Sequence, residues 1–260
     1  MREQLDTGES MRRWAPPALV LVTLVGAWQV AASTGALAGL LNLESFLVPS
    51  PAEIASALWD NRTLLAENAW VTLEEIVLGF LCGLAVGLAF AVLLRLSETM
   101  RRAFYPLMVA SQAIPILVIA PILVVWFGYG IGPKLAVVAL LCFFPIAVNT
   151  VDGLRSVDPE ATKMMRTLDA SRAQVLWRVE APTALPFVFS GARIAATFAP
   201  IGAVFGEWVG ADSGLGHLIL QDNAQLETAR VFAAAAVLAA IALALFALLA
   251  VVERRVVTWR

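Results

Sequence analysis

Residues 156–186, SVDPEATKMMRTLDASRAQVLWRVEAPTALP, hold the side chains best suited to act on something outside the chain. This is the longest charged, helix-patterned stretch between apolar segments. Asp158 suits an N-cap and Pro159 the first helical position. Ala161, Met164, Met165 and Leu168 follow at i, i+3, i+4 and i+7 and so share one face, with Lys163 and Arg166 on the other side. Asp169 interrupts. Ser171 with Gln174 fits a capping box that opens a second short helix, on which Val175, Leu176 and Val179 share a face. Pro182 is expected to end that helix. The chemistry on offer is an apolar face with bases on the other side. Two readings stand on pattern alone, a helix pair lying at lipid headgroups or a docking surface for a soluble partner.

No catalytic constellation accompanies it. His217 is the only histidine, so no histidine-based ligand cluster can form within one chain. Cys82 and Cys142 both lie inside apolar runs and read as buried thiols. No G-x-x-x-x-G-K-[ST] phosphate loop is present, so ATP is not bound by that route. Among the polar side chains within apolar runs, three invite a functional reading. Glu207, near the end of residues 187–210, occupies a costly place for a charge. It is either a gate or substrate contact, or a solvated or paired interfacial acid. Asn149 either lines a pathway or satisfies a carbonyl freed by Pro145. Arg193 reads as a snorkelling base.

The elements that would position these residues are membrane spans. Sixty per cent of residues are hydrophobic and 15% are charged, with mean hydropathy +0.81. A soluble globule has about 45–50% apolar and about 25% charged residues. The fold class is therefore an all-α polytopic membrane protein of one domain over residues 15–260, preceded by a polar tail over 1–14. Spans are expected at about 15–32, 70–94, 103–127, 135–151, 187–210 and 231–252, with the short helix pair at about 158–181. The first apolar run also resembles a signal peptide with small residues near Ala31-Ala32-Ser33. We read it as an uncleaved span, because everything after it is also membrane-bound. In the second span Gly79, Gly83 and Gly87 recur every fourth residue, a row that lets helix backbones approach closely in lipid. The third span contains Pro106, Pro115 and Pro121, which kink helices. Residues 211–230 read as a polar loop.

Alternating six spans from a cytoplasmic N-terminus places only Arg62, Lys134 and Arg230 outside and the other fifteen of eighteen bases inside. That is a strong positive-inside bias. It puts residues 152–186 and both termini in the cytoplasm.

Residues 163–182 resemble the cytoplasmic signature of ABC importer permeases, E-A-A-x3-G-x9-I-x-L-P. Lys163-Met164-Met165, Asp169, Val179, Ala181 and Pro182 keep the spacing, although only the proline is literal. The surroundings are closer. Arg166-Thr167-Leu168, Ala170-Ser171-Arg172, Gln174-Val175-Leu176, Leu47-Val48-Pro49-Ser50-Pro51, Gly153-Leu154-Arg155-Ser156-Val157-Asp158-Pro159 and Gly214-Leu215-Gly216 all look like this class. The resemblance runs from about residue 45 to the C-terminus. Its subgroup serves sulfonates, taurine and nitrate together with thiamine-pyrimidine precursors and riboflavin, and Gly206-Glu207-Trp208-Val209-Gly210 leans toward the pyrimidine-precursor branch.

The resemblance implies a type I ABC importer permease architecture in a bacterial inner membrane. It implies a second permease copy, two ABC ATPase subunits holding Mg-ATP, and an extracytoplasmic binding protein. The chain itself would be no enzyme, bind no cofactor, metal or nucleic acid, and contact lipid. Glu160, Ala161, Met164, Met165, Leu168, Asp169, Ala170, Ser171, Val175, Val179 and Pro182 would carry the ATPase coupling. Methionines are adaptable apolar contacts that can replace the two alanines, and Asp169 tolerates a left-handed turn better than most residues. Two other classes compete. An ion-coupled transporter would want intramembrane carboxylates or inverted repeats, and only Glu207 is deep enough to consider. A membrane enzyme would need a nucleophile or metal cluster, and none is present.

Overall fold

The computed structural model describes residues 6–259. Of the tail expected over 1–14, residues 1–5 lie outside the described residues, as does Arg260, and for 6–14 only the helical course is described. In order, the elements are α1 Asp6–Ser33, α2 Ala36–Leu41, a 3-10 turn Ser45–Leu47, α3 Pro51–Asp60, α4 Arg62–Leu96, α5 Glu98–Ser111 and α6 Ile116–Phe127. Then follow α7 Ile131–Arg155, α8 Pro159–Thr167, α9 Arg172–Val175, a π turn Leu176–Glu180, α10 Ala181–Gly210, α11 Leu215–Ala224 and α12 Thr228–Val256. The protein is all-helical, with no strand among the described residues. Five stretches are long and apolar enough to cross a membrane: Ala15–Ser33, Arg62–Leu96, Ile131–Arg155, Arg172–Gly210 and Thr228–Val256. Helices α5 and α6 together make a sixth, bent by 103°.

Contacts divide the chain into two units. The first runs up to Leu65 and includes Ile219–Ala235. There Gln29 accepts the Ala52 N–H at 2.9 Å, tying α1 to α3, and Trp28 packs on Phe232 with ring centroids 6.4 Å apart. Helix α3 opens with a capping box in which Ser50 and Glu53 satisfy one another's N–H groups. The Ser50 backbone N–H and hydroxyl hold the Glu53 carboxyl below the usual carboxylate range. Asp222, buried, grips Arg230 through two hydrogen bonds of 2.6 and 2.7 Å.

The second unit, Ala66–Leu218 with Ala236–Arg260, is built on α7. Two neighbouring helices reach α7 through glycine. On α4, a Cβ placed at Gly83 would lie 2.8 Å from the Ala139 carbonyl and the Cys142 Cβ, and one at Gly87 3.0 Å from Ile146. Gly79 faces Val138 in the same way. On α10, Gly202 abuts Val138, Gly206 abuts Lys134 and Gly191 abuts the Pro145 carbonyl. Ascending positions on α4 meet ascending positions on α7, so these two helices are parallel; α10 meets α7 in descending order and is antiparallel. Small residues at such seams allow backbones to pack by van der Waals contact where lipid gives no hydrophobic drive. Ile76, Phe80, Val138, Cys142, Ile146 and a run of buried α10 alanines fill the seam, and Ile241, Leu245 and Leu249 of α12 pack against it.

Several sequence expectations change. The third span is not one kinked helix. The chain breaks between Ser111 and Ile116, with Pro115 at the N-cap of α6. Because α4 and α7 run parallel, the α5–α6 pair must carry the chain back between them. Pro182 does not end the second short helix; the π turn Leu176–Glu180 just before it accommodates the proline, and the helix runs on into α10. The helix that contains the expected span 187–210 therefore extends continuously from Arg172. The stretch 211–230 is not wholly loop, since α11 lies within it. Arg193 is not a lone snorkelling base: it pairs with Glu253 of α12 at 3.0 Å.

Replacing Gly83 with Leu puts four carbons where 2.8 Å is free. It should destabilise the detergent-solubilised protein by about 1–3 kcal/mol, read as a lower midpoint of thermal unfolding. An unchanged midpoint would mean that the α4–α7 seam is not as close as described.

Candidate functional site

Two clusters of polar and exposed groups lie at opposite ends of the α4–α7–α10 layer. At the Arg95 end stand the short helices. Asp158 caps α8 by accepting the Glu160 N–H at 2.9 Å. The helix stops at Thr167, and Leu168 is its C-cap. Asp169 takes φ +56°, the left-handed position that ordinarily favours glycine. Its N–H donates to the Arg166 carbonyl and that of Ala170 to the Met165 carbonyl, both at 3.1 Å. This is the paired-bond helix ending of a Schellman motif, so aspartate in place of glycine leaves the turn intact. Ser171 and Gln174 then form the expected capping box.

The expected apolar face of α8 is divided. Met164 is 61% and Leu168 72% exposed, whereas Ala161 and Met165 are half-buried. Exposed apolar side chains of this size beside Lys163, Arg166 and Arg172 make an apolar point with a basic rim. Glu160 is exposed and paired with Lys163, an ion pair of little energetic weight. Ala170 is half-buried and Ser171 exposed. Val175 and Leu176 turn inward, Leu176 against Leu154, Ala184 and Val92. Val179 and Pro182 are half-buried. Glu180, buried in the π turn, receives two hydrogen bonds from Arg95 at the end of α4, from Nε at 2.9 Å and from Nη2.

At the opposite end Glu207 is 1% exposed, so it is not a solvated acid. Thr72 of α4 donates its hydroxyl to Oε1 at 2.6 Å. The N–H groups of Gly216 and His217, in the first turn of α11, donate to Oε2, His217 at 3.1 Å. A carboxylate at a helix N-terminus meets unsatisfied amides and the positive end of the helix dipole. Thr72 also accepts the Leu215 N–H at 2.8 Å, and Asn68 accepts that of Gly214 at 2.7 Å. Side chains of α4 and α10 thus take up four consecutive amides at the start of α11. The glycines are required there: Gly214 has φ +118° and a Cβ on it would strike the Glu207 carboxylate, while one on Gly216 would lie 2.8 Å from it.

Beside this cluster Glu75 of α4 pairs with Lys134 of α7 at 2.7 Å, both buried. Sequence reasoning missed Glu75, Lys134, Thr72 and Asn68. One signal was present: Asn68, Thr72, Glu75 and Gly79 fall at helical spacing on the face that the glycine row continues. Asn149 donates to the Pro145 carbonyl at 2.7 Å. That carbonyl belongs to the proline itself and is not the one its ring frees four residues earlier. Gly79, Gly83 and Gly87 all face α7 within the chain.

Glu207→Leu removes the acceptor for two amides, each worth about 1.5–3 kcal/mol with a charged partner. Hydrogen exchange at Gly216 and His217 should accelerate by about tenfold or more, while exchange in the middle of α7 stays unchanged. Equal protection in the variant would contradict the capping assignment.

The sequence profile described as "Binding-protein-dependent transport system inner membrane component" matches residues 79–258. The formylaminopyrimidine transport permease protein ThiX of Halalkalibacterium halodurans is 36% identical over 245 residues, 94% of this chain and 95% of its own. The riboflavin transport system permease protein RibX of Chloroflexus aurantiacus is 37% identical over 256 residues, 96% of this chain and 93% of its own. Among solved structures, the MetNI methionine ABC transporter in inward-facing conformation superposes with a TM-score of 0.65 at 20% identity, over 75% of this chain and 97% of that one, and shares the fold. The chain belongs to the family of binding-protein-dependent transport inner membrane components: it is a permease subunit of an ABC importer, in which ATP hydrolysis lies in a separate subunit.

Proposed function

We propose that this chain lines half of a pathway for a small nitrogen heterocycle, in the class of formylaminopyrimidine, and that α8 and α9 receive the ATPase. The observation that carries the second part is the exposed pair Met164 and Leu168, 61% and 72% accessible, on and just after the short helix α8 that also carries Lys163 and Arg166. An aqueous surface does not favour two large apolar side chains at one point unless a groove covers them. Methionine is the residue best able to adapt its shape to such a groove. Glu160, Ala161, Met165, Asp169, Ala170 and Ser171 frame that point, and Val175, Val179 and Pro182 seat it on the spans.

In this reading the Arg95 end is cytoplasmic and the Glu207 end external, as the distribution of bases supports. Both termini are then cytoplasmic, in an inner membrane. Residues 15–260 form one permease domain, with 158–181 the coupling pair. A binding protein delivers the solute next to α11, and Glu207 acts as a gate element by holding or releasing the first turn of that helix. Asn149 borders the pathway. A second copy of the chain completes the pore, and two ATPase subunits bind Mg-ATP below it. An ion-coupled carrier working alone finds no support among the relatives. The relatives named for formylaminopyrimidine and for riboflavin favour a heterocyclic solute; their nearly equal identity keeps riboflavin as the second substrate reading.

Leu168→Asp should insert normally yet lose most ATPase on co-purification from native membranes in mild detergent, with partners identified by mass spectrometry. Wild-type recovery of the ATPase with the variant would remove Leu168 from the docking point. Uptake of labelled formylaminopyrimidine by cells expressing the full system should be competed by the unlabelled compound and not by riboflavin. Competition by riboflavin alone would reverse the substrate order.

A further inference from the structure

The coupling pair is joined to α7 and α10 by the chain itself, because α8 follows α7 and α9 runs through the π turn into α10. Its link to α4 is different. Glu180 and Arg95 are 85 residues apart in sequence and meet through a two-bond ion pair. Nearby, Val92 of α4 packs on the cluster of Leu154, Leu176 and Ala184. A cavity of about 270 Å³ opens beside the pair, lined by Arg95, Arg166, Arg172, Val175, Leu176 and Glu180. The pair therefore borders open space on one side. A guanidinium–carboxylate fork fixes distance and orientation together, whereas apolar side chains alone can slide.

Helix α4 also holds the far cluster. Asn68 and Thr72 accept the Gly214 and Leu215 amides, and Thr72 donates to Glu207. The helix is thus tied to the coupling segment at one end and to the start of α11 at the other. We infer that the Arg95–Glu180 ion pair is the joint through which ATPase-driven movement of α8–α9 enters α4 and reaches the first turn of α11. Arg95 and Glu180 are then positioning residues for energy coupling. This rests on α8–α9 being the ATPase docking element.

The test uses the permease–ATPase complex and the double variant Arg95→Met/Glu180→Leu. Removing one partner would strand a buried charge, but replacing both by apolar groups is often neutral or stabilising. The double variant should therefore fold and retain its ATPase. Hydrogen exchange at residues 214–217 is measured in nucleotide-free and ATP-bound complexes. In the wild type the two states should differ by about tenfold or more, and in the double variant that difference should vanish while ATP is still bound and hydrolysed. A difference that persists in the double variant, or is absent from the wild type, overturns the joint. Loss of the ATPase from the double variant alone also overturns it, making the pair a docking or folding element. Absence of the ATPase from the wild-type complex would instead remove the docking assignment on which it rests.

Discussion

The close approach of α4 and α10 to α7 is the constraint on which the rest depends. Gly79 and Gly83 on one side, and Gly191 and Gly202 on the other, leave no space for a Cβ against α7, and Gly87 and Gly206 leave barely enough. Lipid supplies no hydrophobic drive between helices, so contact area at short range has to supply it. Three helices held this closely form one layer, and polar groups at its two ends can then be placed accurately. Lys134 illustrates the point. Its backbone abuts Gly206 while its ammonium reaches Glu75 on the opposite neighbour.

That layer sets two different kinds of chemistry at its ends. At one, a carboxylate, a hydroxyl and a carboxamide serve four amides at the start of α11, replacing the water those groups would otherwise need. At the other, α8 and α9 project Met164 and Leu168 and return into the layer through Val175, Leu176 and Glu180. Among the described residues several buried charges are paired, while Glu207 is held by a hydroxyl and amides instead. Glu75 has Lys134, Glu180 has Arg95 and Arg193 has Glu253. Paired charges of this kind are tolerated where lone ones would be expelled. None of these groups is arranged for bond-making chemistry, in keeping with a permease that leaves ATP hydrolysis to another subunit.

What the sequence could reveal follows the range of the interactions. Local rules found the Ser171–Gln174 capping box and the Asp158 cap, because each lies within four residues, whereas the equally local Ser50–Glu53 box went unread. The glycine row showed as a period of four, although its partner helix did not. Aspartate at the left-handed turn was readable from its known tolerance of that region. Long-range placement was not readable. Glu207 stood out as a charge in an apolar run, but its acceptor role needs Thr72, distant in the chain. Lys134 counted only as one of three bases outside, because its partner Glu75 lies 59 residues away in the chain. The break at Pro115 read as a kink, since sequence does not say whether neighbours will keep a proline helix continuous. Pro182 misled for the opposite reason, the π turn before it letting the helix continue through a proline.

The most direct test of the central claim is reconstitution. The chain is placed in proteoliposomes with its co-purified ATPase and binding protein, and uptake of labelled formylaminopyrimidine is followed with ATP on the ATPase side. An importer permease requires all three components, and uptake should stop when ATP, the ATPase or the binding protein is omitted. Uptake by the chain alone, driven by an ion gradient and indifferent to ATP, would contradict the account.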